Sequence, residues 1–340
     1  MKKGRPKMID FKSLTMDELC ERICKNKNTL IVYHVRSDAD AVGSAFALRE
    51  ILIAMGIPAL CVCADEVPDR LRFLTDSAQG SVVIEDGMEL DHDRVISVDS
   101  ASPTQLGSLY QKLCRDMDVM IDHHGTGTPY ADNYIDPDAA ATGEIIYTLG
   151  KRLVERGALS AIPKRALMCI YAAICSDTGS FRFANVTPTT FRIAAELLEA
   201  GVQGDEVCRA LYESKSAKQV RAEGEAARRL LLHDGGRIAS VTFPYTSKFS
   251  LALSDEHLET IIDVPRSIYG VEVAFCVKQP EQDNKFRVSM RSAGEVDVAA
   301  ICAKFGGGGH TRAAGCTIEA HHIDDVEEML VDIIKKAISK

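Results

Sequence analysis

No apolar run in the sequence approaches the roughly 20 residues needed to cross a bilayer. The longest candidate, "ALMCIYAAIC", stops far short. There is no low-complexity tract, and the composition is that of an ordinary globular protein. A secretory leader is missing too: "MKKGRPKMIDFKSL" is basic but leads into no apolar segment, so a cytoplasmic protein with no membrane attachment is expected. Eleven cysteines are present, yet none stand as a CxxC pair. An odd number set in apolar surroundings such as "ALCVCA" reads as buried reduced thiols, neither a disulfide framework nor a thiolate zinc site. Basic charge is also short, with 40 Lys and Arg against 49 Asp and Glu, a formal net charge of -9. That excludes a broad basic surface for coating long duplex nucleic acid. A small anionic substrate held by a few local cations or metals remains open.

What is present is enough chain for two domains, 340 residues, and therefore for a site between them. After a helix opened by the capping-box pattern "TMDE", apolar strands alternate with helices: "NTLIVYHV", the helix "AVGSAFALREILIAMG" ending at Gly56, "PALCVCA", "RVISVDS", the helix "TQLGSLYQKLCRD" and "DVMIDHH". Continuous apolar strands of this kind imply a mainly parallel sheet flanked by helices. Helices dominate from Ala141 to about Leu232, and the polar "SKSAKQVRAEGEAARRLL" reads as a connector. From Gly235 onward the strands "GRIASVTFPY", "GVEVAFCVKQ" and "KFRVSMRS", a helix-like "DEHLETIIDVP", then the helix "VDVAAICAKF", the glycine loop "GGGGH" and the strand "AAGCTIEA" describe a smaller α/β domain. The expected division is 1–205, a catalytic domain; 206–232, a helical connector; and 233–340, a substrate-binding domain. No internal repeat relates the halves.

Three polar clusters fall at the carboxyl ends of predicted strands: His34, Asp38 and Asp40; Asp99; and Asp122, His123 and His124. That edge of an open parallel sheet is where ligands bind, so the clusters should converge. Singly, each has an ordinary structural reading. Asp40 could cap the helix that starts at Ala41, Asp99 could open a turn before Pro103, and the histidines could meet backbone carbonyls. Together they outnumber what such roles require. Asp177, ending the apolar run of "AAICSDTGSFRF", adds a further carboxylate. Two imidazoles and four carboxylates without sulfur suit Mn2+ or a similar ion, and six groups suit a two-metal centre with one bridging carboxylate. Two such ions, about 3.5 to 4 Å apart, can share a hydroxide nucleophile for phosphoester hydrolysis.

In "KFRVSMRS" the strand period puts Phe286, Val288 and Met290 on one face and Arg287, Ser289 and Arg291 on the other. The glycines at 306–309 can bring N–H groups close to an anion, with His310 beside them and Arg291 able to grip a phosphate; the plainer alternative is a flexible loop.

These motifs resemble a known family. "HVRSDADAVGSA", "VDSAS", "DHHGTG" and "SDTGSF" resemble, in order, the four motifs of the DHH phosphoesterases, and "SMRS" with "GGGGHTRAAG" resembles the signature of the DHH-associated C-terminal domain. The likeness spans nearly the whole chain and is nearest to the short cytoplasmic members that degrade nanoRNA and dephosphorylate 3'-phosphoadenosine 5'-phosphate, and to the closely similar stand-alone phosphodiesterases acting on cyclic dinucleotides or their linear products. It implies that His34, Asp38 and Asp99 hold one Mn2+ and that Asp40, Asp99, His123 and Asp177 hold the other. Asp99, His123 and His124 would carry the catalysis, with Asp122 orienting the histidine ligand and His124 facing the scissile phosphate or leaving oxygen. Arg291, Ser292, Gly307, Gly308, Gly309 and His310 would bind the substrate's phosphate or terminal nucleotide. Ala39 stands where many members have a histidine or proline, at a position that is not a ligand. Short RNA or dinucleotides as substrate, and a homodimer, follow from the same likeness. The alternatives are a cyclic-di-AMP phosphodiesterase, an inorganic pyrophosphatase, which "SMRS" and "GGGGH" disfavour, and a nucleotide-binding sensor without catalysis, whose mark would be a broken ligand set.

Overall fold

The computed structural model describes residues 11–25, 27–75, 82–83, 88 and 90–338. Most of the basic stretch on which the leader reading rests, 1–10, lies outside them. Contacts divide the chain into two units, Met1–Ser214 and Lys215–Lys340, each with its own sheet and core.

The first unit opens with α1 (Met16–Ile23), whose N-terminus carries the expected capping box between Thr15 and Glu18. Six parallel strands follow: β1 (Thr29–Val32), β2 (Ala59–Cys63), β3 (Val82–Val83), β4 (Arg94–Val98), β5 (Met117–Asp122) and β6 (Asp132–Ile135), in the spatial order β3-β2-β1-β4-β5-β6. β1 and β4 are buried along their whole length, which fits their mainly apolar sequences; the polar exceptions are satisfied inside, Arg94 Nε donating to Thr29 Oγ1 at 2.8 Å and Ser97 Oγ lying 2.6 Å from the Tyr130 hydroxyl. The chain builds outward from β1 on one side, then crosses to β4 and builds outward on the other. The loops leaving β1 and β4 therefore diverge from a switch point, where a crevice opens at the strands' carboxyl ends.

Helices α2 (Ala39–Ala54), α3 (Ser108–Leu113), α4 (Thr142–Glu155), α5 (Lys164–Asp177), α6 (Pro188–Glu199) and α7 (Gly204–Cys208) complete the unit. α2 is buried on nearly every side, hence its lack of a polar face. It packs tightly on α5: a Cβ on Gly43 would lie 2.6 Å from the Cys169 carbonyl oxygen. The helix expected over "TQLGSLYQKLCRD" is broken at Gly107, whose φ of 58° separates a 3-10 turn at 103–106 from α3.

The second unit begins with α8 (Ala217–Arg228), so the stretch read as a connector is divided between the units. Ala222 and Ala226 of α8 pack into the core of the second sheet. That sheet contains β7 (Leu230–His233), β8 (Ile238–Phe243), β9 (Val273–Lys278), β10 (Lys285–Ser292), β11 (Gly308–His310) and β12 (Ala313–Glu319), in the order β11-β12-β10-β9-β8-β7. Only β8 and β9 pair in parallel. Around it lie α9 (Tyr245–Ser250), α10 (Asp263–Arg266), α11 (Val298–Ala303) and α12 (Ile323–Ile338). The expected helix "DEHLETIIDVP" is instead two 3-10 turns, 256–258 and 260–262, running into the single turn of α10, where Pro265 sits in the first turn and leaves no donor to extend it. All eleven cysteines are free thiols and most are buried. Among the described residues, no helix is long and apolar enough to cross a membrane.

Candidate metal centre

The turn after β1 carries His34 and Asp38. Asp38, not Asp40, caps α2: its Oδ1 accepts from the N–H groups of Asp40 and Ala41 at 3.0 and 3.1 Å. Asp40 turns away and serves a different helix. Its two oxygens accept from the N–H groups of Thr142 (2.7 Å) and Gly143 (3.0 Å), the first residues of α4, and Oδ1 also accepts from Ser44 Oγ at 2.9 Å. Two of the donors that a helix start leaves without intrahelical partners are thus met by a carboxylate about a hundred residues earlier in the chain.

Asp99 follows β4 with a left-handed backbone, φ 52°, a conformation that costs a non-glycine residue energy and tends to be held at functional sites. Its Oδ2 is 3.5 Å from His34 Nε2, and its Oδ1 is 3.7 Å from both His123 Nε2 and His124 Nδ1. Among the described residues of this unit, Asp99 is therefore common to three groups of ligand-type side chains: His34, Asp38 and Asp99; Asp40, Asp99 and His123; and Asp99, Asp122 and His124. Asp177, the last residue of α5, reaches the same place, its Oδ2 lying 3.3 Å from His123 Nε2. The Nδ1 atoms of His34 and His123 meet the carbonyls of Val35 (2.9 Å) and Ala139 (3.2 Å), which turns both Nε2 atoms toward the carboxylates.

Burial and the neighbouring Asp99 push Asp40 well above the usual carboxylate range, and burial raises Asp177 to about 6. Burial acts to raise Asp99 as well, but the hydrogen bond from His34 and the charges of the three histidines outweigh it and hold Asp99 low. His34 is raised well above an ordinary histidine because the pull of Asp38 and Asp99 exceeds the effect of burial; His123 is raised in the same way by Asp177, Asp40 and Asp99. Four carboxylates, of which Asp40 and Asp99 are buried and Asp38 is half-exposed, can be balanced by protons on themselves and on the histidines, or by cations. The donor set fits divalent ions, with hard oxygen and borderline nitrogen ligands and no sulfur.

The structure brings together all of His34, Asp38, Asp40, Asp99, His123, His124 and Asp177. Asp122 differs from its expected part. Its Oδ1 accepts from the backbone N–H of His123 (2.8 Å) and of His124 (3.2 Å) and lies 2.7 Å from His124 Nδ1, so the ring it orients is that of His124. Three residues were missed in the sequence. The Thr142 hydroxyl donates to Asp99 Oδ1 at 2.9 Å, Ser44 supports Asp40, and the Asn185 amide donates to the carbonyls of Ala140 (2.9 Å) and Asp177 (3.0 Å). "ATGE" signals a helix start, but nothing local says that its threonine supports an aspartate in another segment.

The anion-binding candidates lie in the second unit. Arg291 is on the half-buried face of β10, opposite that of Met290, its Nη1 donating to the Met290 carbonyl at 3.0 Å. Ser292 faces inward and is buried, because the strand alternation puts it with Met290; Ser289 is the serine that shares Arg291's face. The expected glycine loop is largely the strand β11, in which Gly308 pairs with Gly315 and His310 with Ala313. Gly307 has no room for a side chain, since a Cβ would lie 2.2 Å from the Gly315 carbonyl oxygen, and Gly309 has φ 139°.

Residues 28–174 match the family model described as DHH family, N-terminal domain, and residues 243–340 match the DHHA1 domain. The chain is 31% identical over 315 residues to the bifunctional oligoribonuclease and PAP phosphatase NrnA of Thermus thermophilus, covering 91% of this chain and 90% of that protein. It belongs to the DHH family. As a DHH phosphoesterase it is a hydrolase of phosphoester bonds, of a family whose members depend on divalent metal. The NrnA of Bacillus subtilis is 29% identical over 316 residues, 90% of this chain and 94% of that protein. The cyclic-di-AMP phosphodiesterase GdpP of Geobacillus thermodenitrificans is 25% identical over 330 residues, 93% of this chain but 48% of that protein. The DHH fold is shared with the crystal structure of an exopolyphosphatase-related protein from Bacteroides fragilis, with a TM-score of 0.85 at 21% identity over 96% of this chain and 97% of that one.

Proposed function

We propose that this phosphoesterase degrades very short oligoribonucleotides, including linear dinucleotides such as pApA, to mononucleotides, and also removes the 3'-phosphate of 3'-phosphoadenosine 5'-phosphate. The observation that carries the proposal is the full-length likeness to the NrnA proteins, which takes in the second unit as well as the metal centre. Two Mn2+ ions would be held by His34, Asp38 and Asp99 and by Asp40, Asp99, His123 and Asp177, and would supply Lewis acidity and an activated water. The protein's own part is positional. Asp99 is held by Thr142, Asp40 by Ser44 and the start of α4, and Asp122 orients His124. His124 would face the scissile phosphate or the leaving oxygen. Arg291, with the glycines of β11 and His310, would bind the substrate phosphate. A homodimer acting in the cytoplasm completes the proposal, and light scattering on the purified protein checks the dimer.

The test is product analysis by ion-exchange chromatography with Mn2+ present, offering pApA, a 5'-phosphorylated RNA pentamer, 3'-phosphoadenosine 5'-phosphate and cyclic-di-AMP in parallel. Release of mononucleotides from the linear substrates with the cyclic one intact is expected. Preferential opening of the ring would replace this activity with that named for the GdpP relative, and binding without turnover of any substrate would make the protein a sensor.

A further inference from the structure

The half-buried face of the second sheet contains a cationic group that the proposed site does not use. Across β9, β10 and β12 the register places Arg287 beside Lys278 and Thr317, Ser289 beside Cys276 and Gly315, and Arg291 beside Ala274 and Ala313. β11 continues the row of small residues, with Gly308 opposite Gly315. One face is filled by Phe286, Val288, Met290 and Ile318. The opposite face is covered over β9, where Cys276 packs in a core with Ala222 and Ala226 of α8, Leu258 and Ile261, and it opens over β10, β12 and β11, where Ser289 and Gly315 are partly exposed and Gly308 is exposed. Arg287 and Arg291 stand at the two ends of this open stretch of β10, four residues apart on one strand, a separation of roughly 13 Å.

Arg287 does not stand alone. Its Nη1 lies 2.8 Å from Asp255 Oδ2, Lys248 Nζ lies 2.6 Å from Asp255 Oδ1, and Lys278 Nζ is 3.5 Å from the Leu258 carbonyl. Burial pulls the Lys278 ammonium below the usual lysine range; Glu259 and Asp255 oppose that and Arg287 adds to it. Arg287 and Lys248 therefore share Asp255, with Lys278 registered beside Arg287 on β9, and the Arg287 side chain, 43% exposed, is accessible to a ligand. A guanidinium has five N–H donors, of which Asp255 engages one group, leaving capacity for a phosphate.

We propose that Arg287, backed by Lys278 and Lys248, is a second phosphate subsite, which receives an internucleotide phosphate of a linear oligoribonucleotide lying along β10 from Arg291. This rests on the oligoribonucleotide activity proposed above and gives it a length preference: oligomers engage both arginines, a mononucleotide bisphosphate only one.

The experiment compares wild type with Arg287→Gln, Arg287→Lys and Asp255→Asn. Binding of a labelled 5'-phosphorylated RNA pentamer is measured by fluorescence anisotropy in EDTA over a salt series, and kcat and KM are measured with Mn2+ on the pentamer and on 3'-phosphoadenosine 5'-phosphate. For Arg287→Gln, the pentamer KM should rise about tenfold with kcat held, and the ratio of kcat/KM for pentamer over mononucleotide should fall by the same factor. The slope of log affinity against log salt should become shallower by about 0.7, the value for one lost phosphate contact on a single strand. Arg287→Lys should restore the slope. Asp255→Asn breaks the same ion pair while keeping the cation, so it should leave the slope intact; if it reproduces the glutamine variant, Arg287 is structural and the subsite is overturned. Equal losses on both substrates, an unchanged slope, or no pentamer binding by wild type would overturn it as well. Because binding is read without turnover, failure of wild type to cleave either substrate would remove the proposed activity and still leave this comparison decisive.

Discussion

Asp99 concentrates the demands of the site in one residue. It faces His34 on one side and His123 and His124 on the other, in a backbone conformation that resists substitution. Asp99→Asn should lower turnover of a generic phosphodiester about a thousandfold or more and reduce the metal bound per chain, measured by elemental analysis after dialysis. Arg291→Ala should cost far less on that ester and, with a nucleotide substrate, act mainly on KM. Equal losses on the generic ester would refute this division of roles. Thr142→Val keeps the shape of the side chain and removes the hydroxyl that fixes Asp99, so Mn2+ affinity by isothermal titration should weaken about 10- to 100-fold while the thermal midpoint of the metal-free protein changes little.

The elements show why some of this is legible in sequence and some is not. His34, Asp99 and the Asp122–His124 cluster end apolar runs whose burial in a parallel sheet is written in their composition, so their convergence follows from topology alone. Thr142, the β7 strand inside "RRLLLHD" and the β11 strand inside "GGGGH" are defined by partners distant in sequence, and no local pattern names those partners. The tight α2–α5 contact is of the same kind. Gly43 within a helix would ordinarily be improved by alanine, by about 1 kcal/mol of helix propensity. Here the added methyl would meet the Cys169 carbonyl at 2.6 Å and Ala173 Cβ at 3.2 Å, an overpacking cost of about 1–3 kcal/mol that should win. Urea titration of Gly43→Ala should show a lower midpoint, and a higher one would mean that α2 and α5 shift apart at little cost.

At the scale of the whole molecule, two units with separate cores carry separate chemistry: ligand-type carboxylates and histidines in one, and a cationic sheet face in the other. Calorimetry should separate two transitions, with added Mn2+ raising the one that belongs to the first unit. At one hundred times its dissociation constant, a bound ion adds about 2.7 kcal/mol. Equal shifts in both transitions would show that the ions stabilise more than the unit containing the aspartates. The sequence expected two domains because of its length and its change of texture near residue 235. It could not show that α8 packs on the second sheet, since the alanines that do so are too few to mark a buried face.

Asp40 gives this plan an asymmetry in how it can decay. Its carboxylate closes the start of α4, as that of Asp38 closes α2, whether or not an ion is nearby, whereas neither Asp99 nor Asp177 accepts from backbone N–H groups at a helix start among the described residues. A lineage released from the need to hydrolyse anything would lose its ligands unevenly, with the histidines and the other aspartates drifting first. The last acids left in the crevice would be those at positions 38 and 40, vestiges kept by the helices they cap.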